Sequence, residues 1–238
     1  ASGDGSIIQW DVATFELLGR YEGHNAQVNE LVWSRDGTRL LSGDDHGELR
    51  CWNPEVRPKA PLSGGHQAPV TGVAASPDGT KAVSSSQDGR LLFWDLATGR
   101  PIQETLGLNP SLGAVAYHPT EDEVAFGDTL GGVLRRARQA RLPARLYTGA
   151  QDEITELAFT PDGNQLLAAS WDGTVRSWDT DNGGLRNTWR TLGLASFDIS
   201  PDGTRVAIGH SGRLQFCPVE GGPCALLRHG ERDATIKG

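Results

Sequence analysis

In SPDGTKAVSSSQDGRLLFWD, Ser76 to Asp95, two clusters of turn formers alternate with two short apolar runs. Pro77 with Asp78-Gly79 suits one tight turn, and Asp88-Gly89 suits a hairpin. TKAVSSS and GRLLFWD are rich in small, β-branched and aromatic residues, so each predicts a strand. Upstream, VTGVAAS adds a strand behind Gly65-His66, and downstream a fourth fits ATGRPIQETLG. No segment has the length or 3.6-residue period of a helix. The unit is four hairpin-linked strands.

The unit recurs. Trp10, Trp52 and Trp94 stand 42 residues apart, and two further steps of 42 pass through Arg136 to Trp178. The turn marker keeps the same step as SRDG at Ser34, HPTE at His118 and TPDG at Thr160, with SPDG again at Ser200. A third marker pairs Gly23-His24 with Gly65-His66. In the shortened last repeat Cys217 takes the tryptophan register. A repeated four-stranded unit of this length predicts an all-β propeller, one blade per repeat.

Gly-His, Ser-Pro-Asp-Gly, Asp-Gly and a terminal Trp-Asp in fixed register resemble the WD-repeat propellers across essentially the whole chain. That resemblance implies a buried hydrogen-bonded chain of His66, Ser84, Asp88 and Trp94 in the clearest blade. Elsewhere the match is partial. His24, Ser42 and Trp52 fit, but His46 stands in the aspartate register; Asp172 and Trp178 fit, but Ala150 and Ala168 do not, which predicts more reliance on apolar packing. Leu108, Phe126, Leu130 and Arg136 replace all four in another repeat, expected to be the least regular. The reading gives one domain: a partial blade over 1–24, blades over about 25–66, 67–108, 109–150, 151–191 and 192–229, and the start of a further blade over 230–238. The missing strands point to a piece of a larger ring, of seven blades, with a six-bladed ring and an incomplete closing blade as the alternative.

Composition narrows the function. Thirty acidic against 22 basic residues give a net charge of -8, which argues against general nucleic-acid binding. No long apolar run or signal-peptide pattern indicates a membrane role. Cys51, Cys217 and Cys224 lack zinc-ligand spacing and predict reduced thiols in a cytoplasmic protein, with a Cys217–Cys224 bridge as the lesser reading. The absence of methionine suggests a segment of a longer chain, and the excess of arginine over lysine suggests a bacterial source.

Two histidines, His24 and His66, and the hairpin aspartates Asp4, Asp88 and Asp172 are absorbed by the repeat, leaving no metal set. There is no nucleophile elbow and no phosphate loop, so no catalytic residue, cofactor or small-molecule substrate is expected. Protein partners are. The leading reading is an interaction scaffold or sensor module; the alternative is the C-terminal sensor propeller of a bacterial signalling enzyme, a nucleotide-hydrolysing switch or a kinase. The resemblance implies a partner-facing top surface at Gln27, Asn29 and Asp45; Pro69, Thr71 and Gln87; Ser111, Gly113 and Thr129; and Glu153, Thr155 and Trp171, with the last repeat's equivalents near His210. Trp171 stands out in this mostly small and polar set. RRARQARLPAR supplies Arg135, Arg136, Arg138, Arg141 and Arg145 as a candidate patch for an acidic partner. The plainer reading, and the favoured one, is a solvated loop balanced by Glu121, Asp122 and Glu123.

Overall fold

A computed structural model describes residues 3–54, 65–105, 111–138 and 145–228. Among these every regular element is a strand, and every pairing is antiparallel. The first sheet is a ribbon of β1 (Ile7–Trp10) and β2 (Leu17–Tyr21). The second holds β3 (Val28–Trp33), β4 (Leu40–Asp44) and β5 (Leu49–Trp52). Four-stranded sheets follow: β6 (Val70–Ala75), β7 (Lys81–Ser86), β8 (Leu91–Asp95) and β9 (Arg100–Thr105) form the third. The fourth is β10 (Leu112–Tyr117), β11 (Glu123–Asp128), β12 (Val133–Ala137) and β13 (Arg145–Tyr147). The fifth is β14 (Ile154–Phe159), β15 (Gln165–Ser170), β16 (Thr174–Asp179) and β17 (Leu185–Arg190). The sixth is β18 (Ala195–Ile199), β19 (Arg205–His210), β20 (Arg213–Pro218) and β21 (Ala225–Arg228). These are propeller blades. Leu108, Arg141 and residues 230–238 lie outside the described residues.

Turn chemistry sets the hairpins. In Ser34, Ser76, Thr160 and Ser200 the hydroxyl donates to the aspartate two residues on, at 2.5–2.6 Å, and the glycine that follows each aspartate sits at φ 67–78°. That left-handed backbone is what the glycine supplies. The repeat expected to be least regular nevertheless forms a complete sheet, with only β13 short. Its HPTE turn uses His118 Nδ1 to accept from Glu121 N–H at 3.1 Å, so an imidazole replaces the hydroxyl-carboxylate pair.

Inner strands β3, β6, β10, β14 and β18 pack in succession and together line one cavity, the channel between the blades. Blade-to-blade burial supplies the core: Leu41, Val70, Val73 and Trp94 share one cluster, and Ile154, Leu166 and Trp178 share another with Val133 and Tyr147. Each inner strand from β3 to β14 carries an irregularity of register at the same place, between Val28 and Glu30, Val70 and Gly72, Leu112 and Ala114, and Ile154 and Glu156. The extra residues are Asn29, Thr71, Gly113 and Thr155. Such a bulge turns a side chain out of the ladder, here toward one end of the stack of blades. At Gly113 a Cβ would stand 2.1 Å from the Ile154 carbonyl oxygen, so only glycine fits.

Candidate functional site

The hydrogen-bonded braces come first because they hold the loops. Trp94 Nε1–H donates to Ser84 Oγ at 3.0 Å, Ser84 meets His66 Nε2 at 2.8 Å, and His66 Nδ1 lies 3.2 Å from both Asp88 carboxylate oxygens. Indole N–H only donates, so the hydroxyl passes its own hydrogen to His66 Nε2 and His66 Nδ1–H donates to Asp88. Burial alone would raise the Asp88 carboxyl, but Arg90, the Gln67 N–H and His66 outweigh it and hold it at about 2.

The next blade back corrects the reading of His46. His46 is exposed. Asp44, two residues earlier and fully buried, accepts from His24 Nδ1 at 2.8 Å, while His24 Nε2 meets Ser42 Oγ at 2.6 Å and Trp52 donates to Ser42 at 2.8 Å. Its other oxygen accepts from the N–H groups of His46 and Glu48, closing the hairpin from within. The brace is complete but displaced. Asp128 repeats the displacement beside Leu130, accepting from Leu130 N–H and Gly132 N–H at 2.8 Å each. Hairpins therefore come in two forms, Ser-x-Asp at Ser86 and Ser170 and Asp-x-(His or Leu) at Asp44 and Asp128.

Where Ala150 and Ala168 break the chain, polar compensation replaces it rather than apolar packing alone. Trp178 Nε1–H donates to the Thr148 carbonyl at 3.0 Å, and Asp172 is held by Arg176 at 2.7 Å, Thr174 Oγ1 at 2.6 Å and Gln151 N–H at 3.1 Å. His24, Asp44 and Glu48 bring potential ligand atoms within 4.8 Å of one another. Their donors and lone pairs are already engaged, His24 through both ring nitrogens and Glu48 with Arg50 at 2.6 Å, so the group reads as a brace.

The thiol expectation is overturned. Cys217 and Cys224 form a disulfide, and only Cys51 is free, and buried. Pairing of Phe216 with Ala225 makes Cys217 and Cys224 the next cross-strand pair, 4.3 Å apart at Cα, a relation that spacing alone did not reveal. The bridge occupies the tryptophan register of the last blade and withdraws the cysteine argument for a cytoplasmic setting.

At one end of the stack of blades, hairpin and inner strand meet by the same backbone bond in four blades. Asp45 N–H donates to Gln27 at 3.0 Å, Gln87 to Pro69 at 3.1 Å, Thr129 to Ser111 at 3.0 Å and Trp171 to Glu153 at 2.9 Å. The bulged side chains stitch neighbouring blades: Asn29 donates to Asp45 at 2.8 Å and to the Val70 carbonyl at 3.2 Å, and Thr71 to the Leu112 carbonyl at 2.9 Å. Gln27, Asn29, Asp45 and Gln87 are exposed, Glu153, Thr71 and Thr155 half-buried, and Trp171 is 51% exposed. In the last blade, which has no bulge, the position corresponding to Glu153 is Leu194. Sequence spacing missed it because Leu194 follows Glu153 by 41 residues rather than 42, in a repeat whose tryptophan register is reached after 39.

Arg135 of β12 and Arg138 just beyond it turn toward carboxylates of their own blade. Arg135 pairs with Glu121 at 2.9 Å and Glu123 at 2.6 Å, and Arg138 with Asp122 at 2.9 Å. Arg136 is half-buried and Arg145 exposed, so the four described arginines do not form one open patch.

The sequence model of the WD domain, G-beta repeat family matches residues 15–53, 59–95 and 142–179. The Periodic tryptophan protein 2 homolog of Neurospora crassa is 36% identical over 99% of this chain and 27% of its own length. The Mus musculus protein of the same name is 33% identical over 87% of this chain and 23% of its own. U3 small nucleolar RNA-associated protein 21 of Saccharomyces cerevisiae is 32% identical over 44% of this chain and 11% of its own. The chain thus spans about a quarter of the length of these two Periodic tryptophan protein 2 homologs. These are fungal and animal proteins, which lend no support to a bacterial source or to a bacterial signalling enzyme.

Proposed function

This chain is built of WD40 repeats, and from that premise we propose that it is a non-catalytic scaffold that meets protein partners through its top face. The observation that carries this reading is the repeated bond from 45 to 27, 87 to 69, 129 to 111 and 171 to 153, which fixes four loop pairs at one end of a rigid stack. Preorganised loops lose little ordering entropy on binding, and a half-exposed tryptophan among them is a typical anchor. The acidic net charge favours a protein over a nucleic-acid partner, although one relative is named for a small nucleolar RNA.

The same proposal extends to the ring. Trp10, in the register of the buried Trp52 and Trp94, is exposed together with Ile8, Leu17 and Leu18. A two-stranded ribbon showing this much apolar surface fits the outer half of a blade completed by further strands of a parent protein, in a seven-bladed ring.

Affinity capture with the chain, with Trp171→Ala on the top face and with Trp33→Ala at the opposite end tests the reading. Partners retained by wild type and Trp33→Ala but lost by folded Trp171→Ala are expected; equal retention by both variants contradicts it.

A further inference from the structure

The top face is uneven. On the blades of β3–β5 and β6–β9 its exposed residues are polar, Gln27, Asn29, Asp45 and Gln87. Across the next three blades large apolar side chains join the polar ones, beside exposed Gln151 and Asp152: Leu130 is 71% exposed, Trp171 51%, Leu192 60% and Leu194 45%. The loops that carry them adjoin in order. A Cβ on Gly131 would lie 2.7 Å from the Ala150 carbonyl, the Trp171 N–H bonds to Glu153, and the Thr191 N–H bonds to Gly173 at 2.8 Å. The result is an apolar crescent over three successive blade tops.

The channel beside this crescent is acidic. Glu30 and Glu156 occupy one register position three repeats of 42 residues apart, and both line a cavity of 1030 Å³. Between them that register holds only Gly72 and Ala114, which leaves the space between the two carboxylates open. Asp198 lines the same cavity. Neither glutamate has an ion-pair partner among the described residues; Glu156 accepts only from the Phe197 N–H at 2.9 Å and from Ser196. Two basic residues share the lining: His210, buried, accepts from the Leu192 N–H through Nδ1 at 3.1 Å, and Arg213, exposed on the last blade's hairpin, forms no ion pair with the glutamates among the described residues. Burial raises both carboxyls, and the charge of Glu156 helps bring Glu30 to about 7. Two ionised carboxylates that disfavour each other are relieved by a cation between them.

We propose that the crescent takes a basic segment of a partner protein, apolar side chains seated along Leu130, Trp171 and Leu194 and a cationic side chain directed at Glu30 and Glu156. The proposal rests on the top-face reading and adds the partner's chemistry to it. Apolar anchoring supplies affinity, and the carboxylates select the charge. An acidic segment would meet Glu153, Glu30, Glu156 and Asp198 unneutralised, and an uncharged one would leave the glutamates as they are.

The test is selection of random 12-residue displayed peptides on the 238-residue chain, followed by titration of the enriched peptides against folded variants. Enriched peptides should carry arginine or lysine beside aromatic or aliphatic residues. Their affinity should fall about tenfold or more with Trp171→Ala, and by a similar factor with the isosteric Glu30→Gln, Glu156→Gln pair, whose effect should shrink in high salt. Acidic or uncharged winners that still need Trp171, or basic winners indifferent to the glutamine pair, overturn this proposal and leave the top-face reading intact. Winners indifferent to Trp171, or no enrichment, overturn both.

Discussion

Asp44 accepts a 2.8 Å hydrogen bond from His24 although it stands two residues before the position where the repeat carries its aspartate. Asp44→Ala would strand His24 Nδ1 and two hairpin N–H groups in a buried setting, a loss of about 2 to 3 kcal/mol. His46→Ala, at an exposed side chain, should stay within about 0.5 kcal/mol. Denaturant midpoints decide, and equal shifts would return the bracing role to His46.

Trp94 is fully buried and bonded to Ser84, whereas Trp171 is half exposed. Trp94→Ala should cost about 3 to 5 kcal/mol and Trp171→Ala less than about 1 kcal/mol. Comparable losses of thermal midpoint in the two variants would contradict the division between scaffold and surface.

Glu30 has its carboxyl raised to about 7, first by burial and then by Glu156. A carboxyl that holds its proton more tightly in the folded state favours folding at low pH. That contribution is complete below the ordinary glutamate range and is lost as the pH rises through about 7. Glu30→Gln should therefore raise stability by up to about 3 kcal/mol at pH 8, and leave it nearly unchanged at about pH 4. The difference between wild-type and variant curves is the measurement; a difference that stays constant with pH refutes the assignment.

The Cys217–Cys224 bridge closes a loop with a sequence separation of seven. Alkylation of the unfolded, unreduced chain should label one thiol, Cys51, and reduction with a dithiol should lower stability by about 2 to 3 kcal/mol. Three labelled thiols before reduction would show that the bridge does not form.

Fold and repeat register were legible because turn formers and tryptophans recur at a spacing that few architectures produce. Bonds between partners outside that register were not. Asp44 belongs to a hairpin whose pattern is moved by two residues, and the Thr148 carbonyl that receives the Trp178 N–H carries no side-chain signal. Arg176 could have been suspected: it lies four residues beyond Asp172 in the blade that lacks the histidine. The top-face positions Gln27, Gln87 and Trp171 were readable by register, whereas Leu194 was hidden by the shortened repeat. The facing of Glu30 and Glu156 requires three dimensions: their shared register puts both on inner strands, but none of the 125 positions between them says that they meet across one channel.

The bulged residues Asn29, Thr71 and Thr155 are surplus to the ladder of their strands, so their identity is not dictated by cross-strand pairing. A substitution at such a place can alter what a visitor meets while the ladder stays paired, as changing one key of a piano leaves the frame untouched, although at Asn29 and Thr71 it gives up the bond to the next blade. Gly113 is the exception, locked by the backbone of the following blade. Recognition in this chain can accordingly be re-specified one blade at a time at three places, and the fourth is where such tinkering would break the instrument.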